Sequence, residues 1–271
     1  TIITAKPIMR TIHHLSCSGG TVISKCLASM PHAVVLSEVN PNVVGRYRFN
    51  PFDPVQMLLA QSDQINSPAL RQKVFLDRIS FIEKITSERG EKLIIRDHTH
   101  SDYLIQKSID DIDSKTSVIS ALKEGFDIKF VLTLRNPLNS FMSLMRTDWA
   151  PNIHSFDDYC KRTLLMLNSY EELHCPVYRY EDFCEDPTHV LRKICAHLDL
   201  EYSDDYATKF HKIKMTGDSG RGKSKTKILK LKTRFIGPFL LSAARNSKAY
   251  HEICERYGYA LEDRQLFKLM N

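Results

Sequence analysis

The chain has 271 residues, 42% of them hydrophobic and 26% charged, with a formal net charge of +6. That balance is globular, long enough to bury a core without disulfides or metals, and it is expected to form one domain over residues 1–271. No run of about 18 apolar residues exists, so no membrane span is expected, and the first ten residues, TIITAKPIMR, lack a signal-peptide pattern. The seven cysteines form no C-x-x-C pair and no N-x-[ST] acceptor occurs, a pattern that suits reduced thiols in a cytoplasm and no metal site.

In chain order, residues 8–15 read as a strand and 22–30 as a helix, with the polar SCSGGT between them. AVVLSEV at 33–39 is a short apolar run of the kind that lies in a buried parallel strand. Four prolines between 41 and 68 mark a loop, interrupted by a short helix near 54–61. A helix from Pro68 to Arg89 stops at Gly90 and leads to a strand at 92–98. Residues 128–135 form a fourth strand, 156–174 a helix and 176–180 a fifth strand; Asp186 and Pro187 then open another helix. A final helix over 237–257 ends at Gly258.

Strands alternating with helices give an α/β fold, a three-layer parallel sheet flanked by helices. Ligands of such sheets bind beyond the carboxyl ends of the strands. Ser16 to Thr21, Glu38, Arg96 to His98 and Arg135 should therefore line one crevice. A glycine-rich turn before a helix attracts an anion through unpaired N–H groups and the helix dipole, and Ser18 and Thr21 add hydroxyl donors. The turn is not a nucleotide P-loop, because five residues after Gly19 stands Ser24 and Lys25 is out of frame. A glycine turn without ligand is the plain alternative for the loop, as a surface ion pair is for Arg135 and core packing for Tyr180.

The basic character is local. Between 221 and 234 lie seven cations and no acid, and without them the net charge would be −1. A solvated lysine face is the bland reading of this run, and the lack of interleaved aromatics speaks against nucleic acid.

Taken together, the pieces resemble the sulfotransferase superfamily, whose donor is 3′-phosphoadenosine-5′-phosphosulfate (PAPS) and whose product is PAP. SCSGGTVISKCLASMP is similar to its 5′-phosphosulfate loop, and VLTLRNPLNSFMSLM to its 3′-phosphate motif. VYRYEDFCEDPTHVLRKICAHL is similar to its Y-E-D segment and helix, and TGDSGRGKSK stands where its late basic loop stands. The resemblance implies a P-loop-NTPase-like sulfotransferase architecture. It implies cofactor contacts from Cys17, Ser18, Gly19, Gly20, Thr21, Val22, Arg135, Ser143, Tyr180, Gly220, Arg221 and Lys223, with Tyr180 near the adenine and no metal. It also implies a sulfuryl transfer to a hydroxyl or amine, of a carbohydrate or small molecule.

For the general base, Glu38 matches the tyrosyl-protein type of sulfotransferase and His98 the small-molecule type, with Glu38 ranked first and His100 third. The family's basic residue before S-G is Cys17 here, so Arg96 is expected to carry the transition-state charge; Lys25 is expected to point away from the loop. Two alternatives stay open: a non-catalytic binder of 3′,5′-ADP or a polyanion, and an ATP-dependent small-molecule kinase, which the missing Walker lysine disfavours.

Overall fold

The computed structural model describes residues 5–42, 55, 67–113, 116–217, 226–229 and 235–261. Its elements run in chain order as follows. Strand β1 (Ile8–His13) leads to helix α1 (Gly20–Leu27), then β2 (Ala33–Val39), α2 (Pro68–Glu88), β3 (Lys92–Asp97), α3 (His100–Tyr103) and α4 (Ser117–Leu122). Next come β4 (Asp127–Leu134), α5 (Pro137–Leu144), α6 (Phe156–Glu172), β5 (Val177–Arg179), α7 (Tyr180–Glu185) and α8 (Pro187–His197). Three short helices complete the described chain: α9 (Tyr206–Lys209), α10 (Pro238–Asn246) and α11 (Lys248–Tyr257).

The five strands form one parallel sheet in the order β2-β3-β1-β4-β5. Parallel neighbours need crossovers, and the crossover helices cover both faces. Strand alternation sorts the side chains between those faces. Ile12, Ile94 and Val131 pack on one side with Ile23 and Leu27 of α1 and Leu191 and Ile194 of α8. Met9, Leu93 and Ile95 pack on the other with Ile79 of α2 and Val118 and Leu122 of α4. That second face continues through Leu132 and Leu134 to Met166 and Tyr170 of α6 and Ile253 of α11. Each fully buried Leu or Ile contributes roughly 1.5–3 kcal/mol over its exposed state, so the sheet is held from both sides.

The helix signals act where the sequence places them. Ser67 accepts from the Leu70 N–H with Pro68 at the first helical position, and Asp186 caps α8 from His189 in the same way. Several boundaries differ from expectation. Strand β1 stops at His13, two residues early, and α1 begins at Gly20 rather than 22. The fifth strand keeps only three residues, because Tyr180 opens α7 while Asp182 grips the Arg179 Nε at 2.8 Å. The expected last helix is two helices. Ser247, extended at φ −83°, ψ 107°, ends one and caps the next, accepting from the Tyr250 N–H and donating to Asp157 at 2.7 Å. The short helix expected near 54–61 lies outside the described residues apart from Val55.

None of the seven cysteines is in a disulfide. Among the described residues, no helix is long and apolar enough to cross a membrane.

Candidate active site

At the carboxyl ends of β1, β2, β3 and β4 lies a cavity of about 890 Å³. Its wall includes six cationic residues (Lys25, Arg96, Arg135, Lys212, Lys214 and Lys227) and the acidic Glu38, while Asp97 borders it with its carboxylate buried. Such a one-sided charge focuses a positive potential on an anionic ligand.

The loop between β1 and α1 forms the base of the cavity. Gly19 caps α1 at φ 87°, a left-handed conformation, and lies against the Tyr180 ring so closely that a Cβ there would overlap it. Cys17 also has a positive φ of 66°, and its carbonyl accepts from Arg135 Nη1 at 3.0 Å. Ser18 departs from its expected part. Its hydroxyl donates to the Leu15 carbonyl at 2.7 Å, its N–H turns to the same carbonyl, and the side chain is buried away from the lining. Ser18 shapes the turn from inside; the Thr21 hydroxyl, by contrast, lies in the wall with Gly20 and Val22.

Arg96, at the end of β3, is the hub. Arg96 is 4% exposed, and it donates through Nη2 to Thr21 Oγ1 at 2.9 Å and through Nη1 to Ser37 Oγ at 2.8 Å. The same Nη1 reaches the Thr216 carbonyl at 2.9 Å, and the inboard Nε donates to His14 Nε2 at 3.0 Å. Glu38 approaches Nη2 at 3.5 Å. Glu38 reaches this position through a register shift between Ser37 and Val39, where it adopts φ 59°. A bulge that bends a strand and holds a non-glycine residue left-handed re-aims a side chain at a cost, and such outliers cluster at functional sites. Residues 216 and 217 lie across this group: Thr216 and Ser37 exchange hydrogen bonds at 2.8 and 3.1 Å, and Gly217 packs on the Glu38 carboxylate.

His98 also lines the cavity, half-buried, with Nδ1 hydrogen-bonded to the Ser101 hydroxyl. His100 is its neighbour, ring centroids 5.6 Å apart, with Nε2 on the Trp149 carbonyl at 2.7 Å. Both sit on a turn held from below by a closed polar network. Asp97 accepts from His13 Nδ1, Thr99 Oγ1 and Asn40 Nδ2, each at 2.9 Å. Asn40 also reaches Asp102, which accepts from the Ser117 hydroxyl at 2.8 Å and N–H at 3.1 Å. Burial first, and the Asp97 charge second, push the Asp102 carboxyl up to about 7, against the hydrogen bonds from Ser117 and Asn42.

Arg135 follows β4, and Asn136 caps α5 by accepting from the Leu138 and Asn139 N–H groups. The Y-E-D segment supports it from behind. Tyr180 lies under the guanidinium, 5.3 Å from Cζ to ring centroid, while Glu181 accepts from the Asn136 N–H at 3.0 Å. Ser143, on α5, lines the same cavity.

The expected crevice thus brings together Ser16, Cys17, Gly19, Gly20, Thr21, Val22, Glu38, Arg96, His98, Arg135, Ser143 and Tyr180. Lys25, expected to point away from the loop, lines the cavity too. Gly220, Arg221 and Lys223 lie outside the described residues. Sequence reasoning missed His14, whose signal was only a polar residue next to the glycine turn; it singled out TGDSGRGKSK, which Thr216 and Gly217 open, but not the contacts of these two residues with Arg96, Ser37 and Glu38.

A family model described as "Sulfotransferase family" matches residues 12–204. No curated protein matches the chain in sequence. Among solved structures, the chain is similar to the sulfotransferase domain from the Synechococcus PCC 7002 olefin synthase. The identity there is 16%, the TM-score 0.60, and the match covers 96% of this chain and 98% of that one. The sulfotransferase domain from the curacin biosynthetic pathway is similar at 15% identity and TM-score 0.57, over 95% and 100% of the two chains. At these identities the likeness is one of fold.

Proposed function

The chain belongs to the sulfotransferase family, and on that footing we propose that it moves a sulfuryl group from PAPS to a hydroxyl or amine of a carbohydrate or small molecule. The observation that carries this reading is the convergence on Arg96 of Thr21 from the glycine loop and Glu38 from the bulged strand, inside one cationic cavity. The residues fit the donor: the cavity lies in the range of about 300–1,000 Å³ that ligand sites occupy, and its cations suit an anion with phosphates at both ends.

PAPS supplies a sulfuryl group already activated on a phosphate. What remains for the protein is positioning and charge, as in phosphoryl transfer. The loop N–H groups and the Thr21 hydroxyl hold the phosphosulfate end, while Arg135 and Ser143 hold the 3′-phosphate. Arg96 stabilises charge that develops as the sulfuryl group moves, and covers the place of the cation that Cys17 lacks. Glu38, with His98 as second candidate, takes the proton from the acceptor. Once that proton has moved, the Arg96 charge beside Glu38 no longer has a carboxylate to pair with and is left for the developing anion.

Calorimetry with 3′,5′-ADP and with Mg·ATP, followed by transfer of labelled sulfate from PAPS to an acceptor panel, tests the reading. Binding of 3′,5′-ADP and label on an acceptor are expected; binding of Mg·ATP alone would sink it. The thiol at Cys17 favours one second reading, a non-catalytic 3′,5′-ADP binder, which predicts binding without transfer.

A further inference from the structure

His14 stands between two parts of the site. Its ring lies so close under Gly20 that a Cβ there would overlap it, and its Nε2 is 3.0 Å from the Nε of Arg96. The side chain is 5% exposed, and Nδ1 is buried with no hydrogen-bond partner among the described residues. An arginine Nε keeps its proton in any protein, so it is an obligate donor, and the nitrogen facing it must carry a lone pair. The ring proton of His14 therefore sits on Nδ1, and an imidazolium would leave two donors face to face. Burial first, and then the Arg96 charge, hold His14 well below the ordinary histidine value, so the ring stays neutral.

Four further Arg96 partners among the described residues lie on the two Nη atoms: Ser37 and Thr216 on one, Thr21 and Glu38 on the other. Those contacts lie on the cavity side, where an incoming anion competes for them. The His14 contact is on the inboard edge and fixes the plane of the fork whatever the outer atoms bind.

We propose that His14 is a positioning residue for sulfuryl transfer: a neutral imidazole that accepts the Arg96 Nε–H and so aims both Nη atoms at the group being transferred. The proposal rests on the sulfotransferase reading above. It gives Arg96 the fixed orientation that the task left by Cys17 demands, since a misplaced cation stabilises ground state and transition state alike.

Two measurements test it. In the nucleotide-free protein, nitrogen-edited NMR of the imidazoles should find His14 as the neutral Nδ1–H tautomer from about pH 6 to about pH 8. An Nε2–H tautomer or an imidazolium in that range overturns the proposal, and no variant has to fold for the result to count. In a double-mutant cycle, His14→Ala should lower kcat with PAPS by about tenfold or more while PAP affinity stays within about threefold. In an Arg96→Ala background the same change should add nothing, because coupled residues are non-additive. Losses that multiply, or a loss of PAP affinity as large as the loss of kcat, would show that the ring only supports the glycine loop and would overturn the role. If the unaltered chain transfers no sulfuryl group, the functional reading fails, and the positioning role with it, while the tautomer still decides whether His14 accepts from Arg96.

Discussion

His13 and His14 are neighbours in the chain, as are Arg96 and Asp97, yet the two pairs they form live in different worlds. His14 meets Arg96 in the wall of the cavity, and His13 meets Asp97 beneath it, with both side chains of the lower pair fully buried. The upper pair touches the glycine loop, Glu38 and Thr216; the side chains of the lower pair hydrogen-bond, besides each other, to Thr11, Thr99 and Asn40 among the described residues. One step along a strand turns a side chain to the opposite face. The difference teaches that neighbouring polar residues of similar kind divide into chemistry and support by their place in the strand: parity separates Arg96 from Asp97 within β3, while β1 ends at His13 and leaves His14 in the turn beyond it. Changes in the upper pair should therefore move rates, and changes in the lower network should move stability and its pH dependence.

The largest expected effect breaks the upper side. Arg96→Ala should slow transfer from PAPS by about 10³–10⁵-fold, the range for a cation on a transferring group, with PAP binding reduced far less. Equal losses in both would place Arg96 in binding rather than in the transition state.

Next in size is the base. Glu38→Gln and His98→Ala are to be compared by turnover, where the true base should cost about 10²–10⁴-fold and the other residue much less. Glu38 is expected to be the costly one, because the chain bears a left-handed conformation at a bulge to bring it to Arg96. A larger loss for His98 would reverse the assignment.

The smallest effect sharpens the lower side. Asp102 has its carboxyl raised to about 7, chiefly by burial. A carboxyl raised in the folded state contributes stability that is fully present below its unfolded value and is lost as pH rises through the folded value. The melting temperature should therefore fall between about pH 5 and about pH 8, and it should fall less in Asp102→Asn, which does not titrate. Parallel curves for the two proteins would show that Asp102 is ionised throughout.

Much of this was legible in the chain. The alternation of apolar strands with capped helices gave the parallel sheet, since periodicity and caps are local properties. Arg96, His98, Glu38 and Arg135 were found by one topological rule, that polar residues following parallel strands gather at one edge. His14 was not found, because its importance lies in contacts with Arg96 and Gly20 that no spacing encodes. Ser18 was read as a donor to the ligand, but the turn uses its hydroxyl to close on Leu15. Lys25 was read as a further possible cation turned away from the loop, and it proves to line the cavity.

By itself, then, the sequence determined the order of the strands and helices, the glycine turn and the residues at the strand ends, because hydrophobic period, caps and glycine act over a few residues. Only the tertiary structure decided which of two adjacent histidines meets the arginine. It alone bent β2 at Glu38 so that a carboxylate enters the cavity, and it alone laid Thr216 and Gly217 over both. Those outcomes depend on the register between strands and on segments more than a hundred residues apart in sequence packing together. Such contacts are fixed by the free energy of the whole fold rather than by any stretch of the chain.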